Sequence, residues 1–213
     1  MSIGKKWSKY EIVATTTDSL FQAKLKNIYP KFKQDANVVL NDSSLLNDIT
    51  GAHIPLSAPW SDVDIVLLPI LPTNKAHWML GVLDIKKQQF LVFNSSMKTY
   101  NNIKARIGTE PFVKILPHLM KGIGVWKKDS GAHLNDSIEL EVLLDFSLPQ
   151  QKNGIYVIKY AEYMLHDAIG SMSTRFDTGR ARLDIASLLY KHCEIKKERN
   201  KVHRTRGESI VIE

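Results

Sequence analysis

Polar side chains at three points of this 213-residue chain have the chemistry of an acyl-transfer site. His77 begins one apolar segment, Asn94 ends the next, and the pair Gln150-Gln151 stands just before a third. An imidazole can act as a general base, and an amide oxygen can accept from its ring N–H and fix the tautomer. A glutamine amide can donate to a developing oxyanion. A lone histidine is more often structural, so the hypothesis rests on the combination and not on His77 alone.

Segments rich in Val, Ile, Leu and Phe must position these groups. Three of them predict β-strands, at 63–70, 77–85 and 89–94. The last two are separated by a short connector, which favours an antiparallel hairpin. His77 and position 94 then lie at the same end of that hairpin, where a side chain at 94 could reach the imidazole.

Helical spacing of apolar residues predicts two helices around these strands. The first begins after Asp18, a plausible N-cap, and we expect Pro30 to interrupt it. The second covers 100–120, where Pro111 and Pro117 should break or shorten it. The polar stretch at 41–62 is interpreted as a loop with short turns.

Further elements follow residue 138. We expect a strand over 139–146, a helix ending near Gly170, and a last helix from about Gly179 into a basic tail. The apolar stripe predicted for the first of these two helices comprises Ile155, Ile158, Ala161 and Leu165. The order of helix, strands, helix, strand and helices is typical of an α+β fold.

The composition is that of an ordinary globular protein, with 44% hydrophobic and 24% charged residues. No apolar run approaches the ~20 residues of a membrane span, and the start, MSIGKKWSKY, lacks the apolar core of a secretory signal. The single cysteine, Cys193, excludes an internal disulfide and a multi-cysteine zinc site. We therefore expect a monomeric nuclear or cytoplasmic protein with no cofactor, no metal and no membrane contact.

The net charge of +7 is concentrated near the end of the chain. Residues 191–206 hold seven Lys or Arg against two Glu, a local +5, which leaves about +2 for the rest. A solvated, frayed helix end explains such a tail, and a nuclear-localisation or nucleic-acid patch is the alternative. We expect an N-terminal part over 1–59, a core over 60–190 and a basic tail over 191–213.

Two segments in order, HWMLGVLDIKKQQFLVFNSS and PQQKNGIYVIKYAEYM, resemble the cysteine proteases that process and deconjugate SUMO and related ubiquitin-like proteins. In that family His-Trp opens a strand, and an Asp follows the His by seventeen residues. The next element is Pro-Gln-Gln-x-Asn-Gly-x-Asp-Cys-Gly and an apolar helix. The resemblance covers roughly residues 60–170 and implies a papain-like α+β fold with a central mixed or antiparallel sheet flanked by helices.

The resemblance also implies roles for individual residues. His77 would be the general base, Asn94 would stand where the orienting Asp belongs, and Gln151 would be the oxyanion donor. Trp78 would cover a narrow tunnel that admits the Gly-Gly tail of a ubiquitin-like substrate, because only residues without side chains can pass under an indole. A SUMO-type protein or its conjugates would be the partner.

The family's nucleophile is absent. Four residues of the type x-Asp-Cys-Gly are missing between Gly154 and Ile155, so hydrolysis by this mechanism is not expected. Cys193 lies far along the chain and is a poor substitute. The serines that follow position 94 and those beyond the helix are poorer still: Ser95, Ser96, Ser171 and Ser173.

Three interpretations remain open at this level. The chain is a family member that binds a ubiquitin-like tail without cleaving it, or the gap is a splice-boundary or gene-model artefact in a working peptidase. The third interpretation is a basic nucleic-acid-associated protein that uses KKERNKVHRTR. The absence of aromatic residues interleaved with that basic run, and the nearly neutral remainder, argue against the third.

Overall fold

A computed structural model describes most of the chain. It covers residues 12–53, 57–71, 77–98, 100–126, 139–143, 148–150, 154–173 and 177–207, and it describes side chains at all of these except 139–143 and 196–207. The chain divides into two units, 1–174 and 175–213. The sequence-based division at 59 and 190 stays a prediction.

A five-stranded mixed sheet forms the centre of the first unit. Its strands lie in chain order: β1 (Ala14–Thr16), β2 (Ile65–Ile70), β3 (Met79–Asp84), β4 (Gln89–Phe93) and β5 (Glu139–Leu143). The two outer pairs are parallel and the two inner pairs are antiparallel. The predicted strands and the hairpin are confirmed, whereas β1 was missed because three residues carry too little pattern.

Helices cover both faces of this sheet. They are α1 (Ser19–Phe32), α2 (Ser43–Ile49), α3 (Asn102–Gly122) and α4 (Ile155–Leu165) in the first unit, and α5 (Thr178–Gly207) in the second. Helices α1 and α3 contact each other and the sheet, while α4 contacts β3. The mixed sheet with separate helices confirms the predicted α+β class.

The alternation of side chains along β4 shows how the two faces differ. Phe90 and Val92 point into the main core, where Phe90 stacks on Phe112 of α3 with ring centroids 5.7 Å apart. Phe93 points to the other face and packs on Tyr160 of α4, also at 5.7 Å. Each fully buried side chain of this size contributes roughly 1.5–3 kcal/mol, so both helix layers are held firmly to the sheet.

The predicted interruptions at prolines were wrong. Pro30, Pro111 and Pro117 all lie inside continuous helices. Each proline removes one helical hydrogen bond, at a cost of ~3 kcal/mol in a helix interior. Helix α3 offsets this cost because it buries a long apolar face, which includes Phe112, Ile115, Leu116, Leu119 and Met120.

The stretch interpreted as loop, 41–62, contains a short helix, so that prediction was also wrong in part. Asp42 caps α2 by accepting from the backbone N–H of Leu45 at 3.0 Å. Asp18 caps α1 in the same way, as predicted, through Leu20 and Phe21. Seven residues are too few for α2 to show a clear helical period.

The predicted stripe on α4 was wrong as well. Ile155 is buried as expected, but Ile158 is 48% exposed, and the inward face carries Tyr156, Tyr160 and Met164. Tyrosines bury more apolar area than the small Ala161 does, so they determine which side faces the sheet. The helix ends at Leu165, before Gly170.

The second unit contains α5. Asp177 caps it, since one carboxylate oxygen accepts from the N–H groups of Gly179 and Arg180 at 2.9 and 3.0 Å. The predicted last helix is confirmed. No helix in the described ranges is long and apolar enough to cross a membrane.

Candidate active site

The open end of the β3–β4 hairpin brings two of the predicted residues to one place. His77 and Trp78 directly precede β3, Asn94 directly follows β4, and the register pairs Leu80 with Phe93. His77 is 4% exposed and Asn94 is 1% exposed. The hairpin therefore places the candidate base and its candidate orienting residue at the same buried end of the β3–β4 hairpin.

The side chain of Asn94 both accepts and donates. Its Oδ1 accepts from the backbone N–H of Ser96 at 2.9 Å, and its Nδ2 donates to the carbonyl oxygen of Tyr100 at 2.6 Å. An amide oxygen has two lone pairs, so Oδ1 keeps one lone pair with which to accept from an imidazole N–H. The same residue thus fixes the turn after β4 and presents an acceptor at the hairpin end.

Gln150 ties a second segment of the chain to this turn. Its Oε1 accepts from the backbone N–H of Met97 at 3.2 Å, and its Nε2 donates to the carbonyl oxygen of Asn94 at 3.3 Å. The sequence indicated the pair Gln150-Gln151 as a candidate donor, and the family resemblance assigned the oxyanion role to Gln151. Gln151 lies outside the described residues, so its oxyanion role stays a prediction.

Helix α4 is joined to the same segment through Tyr160. The phenol of Tyr160 donates to the carbonyl oxygen of Pro149 at 2.8 Å. Burial, with the nearby Tyr156 adding, raises the pKa of Tyr160, and a hydrogen bond with Ser95 partly offsets the rise. Tyr160 therefore stays neutral, and its hydrogen bond joins α4 to Pro149, at the start of the Pro-Gln-Gln segment.

Trp78 contacts the start of α4. A Cβ atom added to Gly154 would lie 3.3 Å from Cδ1 of the indole, so the ring covers the backbone at that point. Gly154 is the N-cap of α4, and a glycine has no side chain with which to cap the helix. The indole, the hairpin end and the N-terminus of a helix thus meet, which is where an attacking atom would gain from the helix dipole.

The sequence of the first unit, residues 1–174, contains no cysteine. Cys193, the only cysteine of the chain, is exposed on α5 in the second unit. Ser95 is 1% exposed and bonds with Tyr160, and Ser171 donates to Ala168 at 2.7 Å. The arrangement offers a candidate base and a covered glycine backbone, and the sequence runs directly from Gly154 to Ile155.

Comparison with known protein families identifies the domain. Residues 13–196 match the model of the Ulp1 protease family, C-terminal catalytic domain. The chain belongs to this family. Membership confirms the resemblance found in the sequence and, with the mixed sheet and flanking helices, the predicted papain-like α+β fold. The Ulp1 family match begins before β1, so it extends well N-terminal of the segments that suggested it.

Solved structures of the Ulp1 family are similar to this chain at low identity. SUMO protease Ulp1 with its catalytic cysteine oxidised to a sulfonic acid is 19% identical, with a TM-score of 0.45, and the match covers 79% of this chain and 63% of that one. The Ulp1 C-terminal protease domain in complex with Smt3, the yeast ortholog of SUMO, is 20% identical, with a TM-score of 0.43 and coverages of 79% and 62%. The Ulp1-like SUMO protease catalytic domain of Chaetomium thermophilum is 15% identical, with a TM-score of 0.43 and coverages of 78% and 55%. The chain thus spans less than two thirds of these structures, and no curated protein sequence matches it.

Proposed function

We propose that this chain binds the C-terminal Gly-Gly tail of a SUMO-type ubiquitin-like protein and does not cleave it. Family membership supports the class of partner, and a relative in the same family is known in complex with Smt3. The indole of Trp78, the residue type expected to cover such a tail, lies against the backbone of Gly154 at the N-terminus of α4. The observation that carries the proposal is the direct passage from Gly154 to Ile155, which removes the attacking thiol and leaves the surrounding framework.

The roles of the site residues follow from this proposal. His77 is the residue that would act as general base if a thiol stood beside it, and Asn94 would orient it by accepting from its ring N–H with the remaining lone pair of Oδ1. Without a nucleophile there is no tetrahedral intermediate, so an oxyanion donor at Gln151 has no charge to stabilise. Binding of the tail then depends on Trp78 and the backbone that the indole covers.

Binding is tested with a SUMO protein ending in Gly-Gly and the same protein lacking those two residues. We expect the intact tail to bind more tightly. Trp78→Ala should weaken the binding of intact SUMO by about thirtyfold or more, since truncation of a well-packed aromatic anchor costs at least ~2 kcal/mol. Tyr190→Ala removes an exposed aromatic side chain from α5 and is the matched control. Equal binding of both SUMO forms would contradict the proposed slot.

Catalysis is tested with SUMO carrying a fluorogenic C-terminal leaving group. The chain itself should give no turnover, and a version with Tyr-Asp-Cys-Gly inserted before Ile155 should give turnover that His77→Ala abolishes. Turnover by the unmodified chain that is lost in His77→Ala would show an unforeseen nucleophile and refute inactivity. Sequencing the transcript across the codons of Gly154 and Ile155 tests the separate hypothesis that the gap is an artefact.

A further inference from the structure

A cavity of about 550 Å³ lies between α1 and α3, lined by residues that the proposed function does not use. We refer to it as the α1–α3 pocket. Its wall consists of Lys26 and Tyr29 from α1, Tyr100 from the turn after β4, and α3 residues from Lys104 to Pro111. This volume is in the usual range for small-molecule sites. The wall is mostly apolar, with a few charged groups at its edge.

Lys26 is the most unusual group of this pocket. It is half-buried, and burial lowers the pKa of its ammonium group. Its Nζ donates to the carbonyl oxygen of Leu71 at 3.2 Å, and it forms no ion pair with the side chains that the structure describes. An ammonium group has three donors, so two donors of this half-buried lysine remain for solvent or a ligand.

The charged side chains of the lining are two lysines, Lys26 and Lys104, and one glutamate, Glu110. Glu110, at the pocket edge, accepts from the phenol of Tyr29 at 2.9 Å. Tyr100 donates its phenol proton to the carbonyl oxygen of Lys104 at 2.9 Å, which holds its ring against α3. Gly108 makes this possible, since a Cβ there would lie 2.7 Å from the Tyr100 hydroxyl. Tyr100 is 5% exposed, so it contributes a fixed edge of its ring to the lining.

We propose that the α1–α3 pocket binds a small amphipathic carboxylate, with its apolar body on Tyr100 and Ile107 and its carboxylate on Lys26. Charge complementarity favours an anion, because the lining holds two lysines, Lys26 and Lys104, against the single carboxylate of Glu110. Ile107 is 66% exposed at the edge of the pocket. An aliphatic chain lying on it would remove apolar surface from water. The pocket is a separate proposal and does not depend on SUMO binding.

Occupancy of the pocket would reach the candidate active site through Tyr100. The ring of Tyr100 lines the pocket, and its carbonyl oxygen accepts from the side chain of Asn94. A ligand in contact with Tyr100 would further stabilise this turn, in which the backbone N–H of Tyr100 donates to the carbonyl oxygen of Ser96 at 2.7 Å. A bound carboxylate should therefore slow hydrogen exchange at the amide of Tyr100.

The test is calorimetric titration of the full chain with decanoate, decan-1-ol and decyltrimethylammonium. We expect decanoate to bind about tenfold more tightly than decan-1-ol, the effect of one charge-assisted hydrogen bond, and the cation to bind no better than the alcohol. Lys26→Met should remove the preference for decanoate, whereas Lys31→Met, an exposed change on the same helix, should preserve it.

A second variant protects the test against misfolding of Lys26→Met. Ile107→Glu places a negative charge at an exposed position of the pocket edge. It should lower the affinity for decanoate about tenfold more than the affinity for decan-1-ol. The proposal is overturned by absence of saturable decanoate binding, by equal affinity for acid and alcohol, or by decanoate binding that Ile107→Glu leaves unchanged. Equal losses in Lys26→Met and Lys31→Met would also overturn it, because they would indicate general surface charge.

Discussion

Asn94→Asp, which restores the acidic residue of the family pattern, should destabilise this chain. The Nδ2 group of Asn94 donates to the carbonyl oxygen of Tyr100 at 2.6 Å, and a carboxylate has nothing to donate. The carbonyl oxygen would lose its partner, at a cost of about 1–3 kcal/mol, and would face a carboxylate oxygen. A negative charge would also enter a site that is 1% exposed. We expect a total loss of about 3 kcal/mol at neutral pH.

The pH dependence of this loss follows from the same contact. Desolvation and the Tyr100 carbonyl oxygen should hold the folded-state pKa of the introduced carboxyl above its unfolded value of ~3.9. The folded variant then takes up a proton first as the pH falls, and the protonated carboxyl can donate to Tyr100. The loss should therefore be full above the folded-state pKa and should shrink as the pH falls towards ~4.

Urea unfolding at pH 7 and pH 4.5 measures both effects. Asn101→Asp is the matched control, since Asn101 caps α3 through its Oδ1, which accepts from the backbone N–H of Lys104 at 3.1 Å, and aspartate caps helices as well as asparagine does. We expect a change within about 0.5 kcal/mol for this surface control. If Asn94→Asp were as mild as the control, the donation from Nδ2 to Tyr100 would not hold the turn.

Two further predictions concern packing and titration. Gly81→Ala should cost about 1–3 kcal/mol in the free energy of unfolding, because the new Cβ would lie 2.9 Å from the ring of Phe90. Gly170→Ala is the control, since a Cβ there would meet nothing within 4 Å beyond its chain neighbours. Equal losses in the two variants would contradict the packing argument. Burial, followed by the hydrogen bond to Glu110 and its charge, raises the pKa of Tyr29 to about 12. The stability gained from the neutral phenol is thus complete below pH ~10 and is lost as the pH rises towards 12. Glu110→Gln should lower the pKa of Tyr29 only in part, as an NMR titration of its ring would show, and an unchanged pKa would exclude the hydrogen bond.

The sheet and its hairpin were predictable because their signals are local. Apolar runs of strand length with a short connector determine β3 and β4, and the ends of that hairpin follow from the register. Helix α3 was less predictable, since the effect of Pro111 and Pro117 depends on how much apolar surface the helix buries against the sheet. That quantity comes from the whole fold and is not visible in a sequence window.

The candidate site shows the same distinction between local and nonlocal signals. His77 and Asn94 could be assigned to one end of a hairpin from spacing alone. The role of Gln150 could not, since it depends on hydrogen bonds to residues more than fifty positions earlier in the chain. The donation from Asn94 to Tyr100 was also hidden, because it exists only in the folded turn.

The hydrogen bond from Asn94 to Tyr100 bears on whether the asparagine at position 94 limits catalysis as the missing thiol does. In a thiol site the partner of the base needs only to accept, and Oδ1 of Asn94 retains the lone pair for that purpose. In this chain the same side chain must also donate to Tyr100, which an aspartate cannot do. We therefore expect the chain with Tyr-Asp-Cys-Gly inserted to turn over SUMO with Asn94 in place. Asn94→Asp in that background should change kcat less than tenfold and should lower stability. A gain of a hundredfold or more in kcat would show that residue 94, together with the missing thiol, limits catalysis on this scaffold.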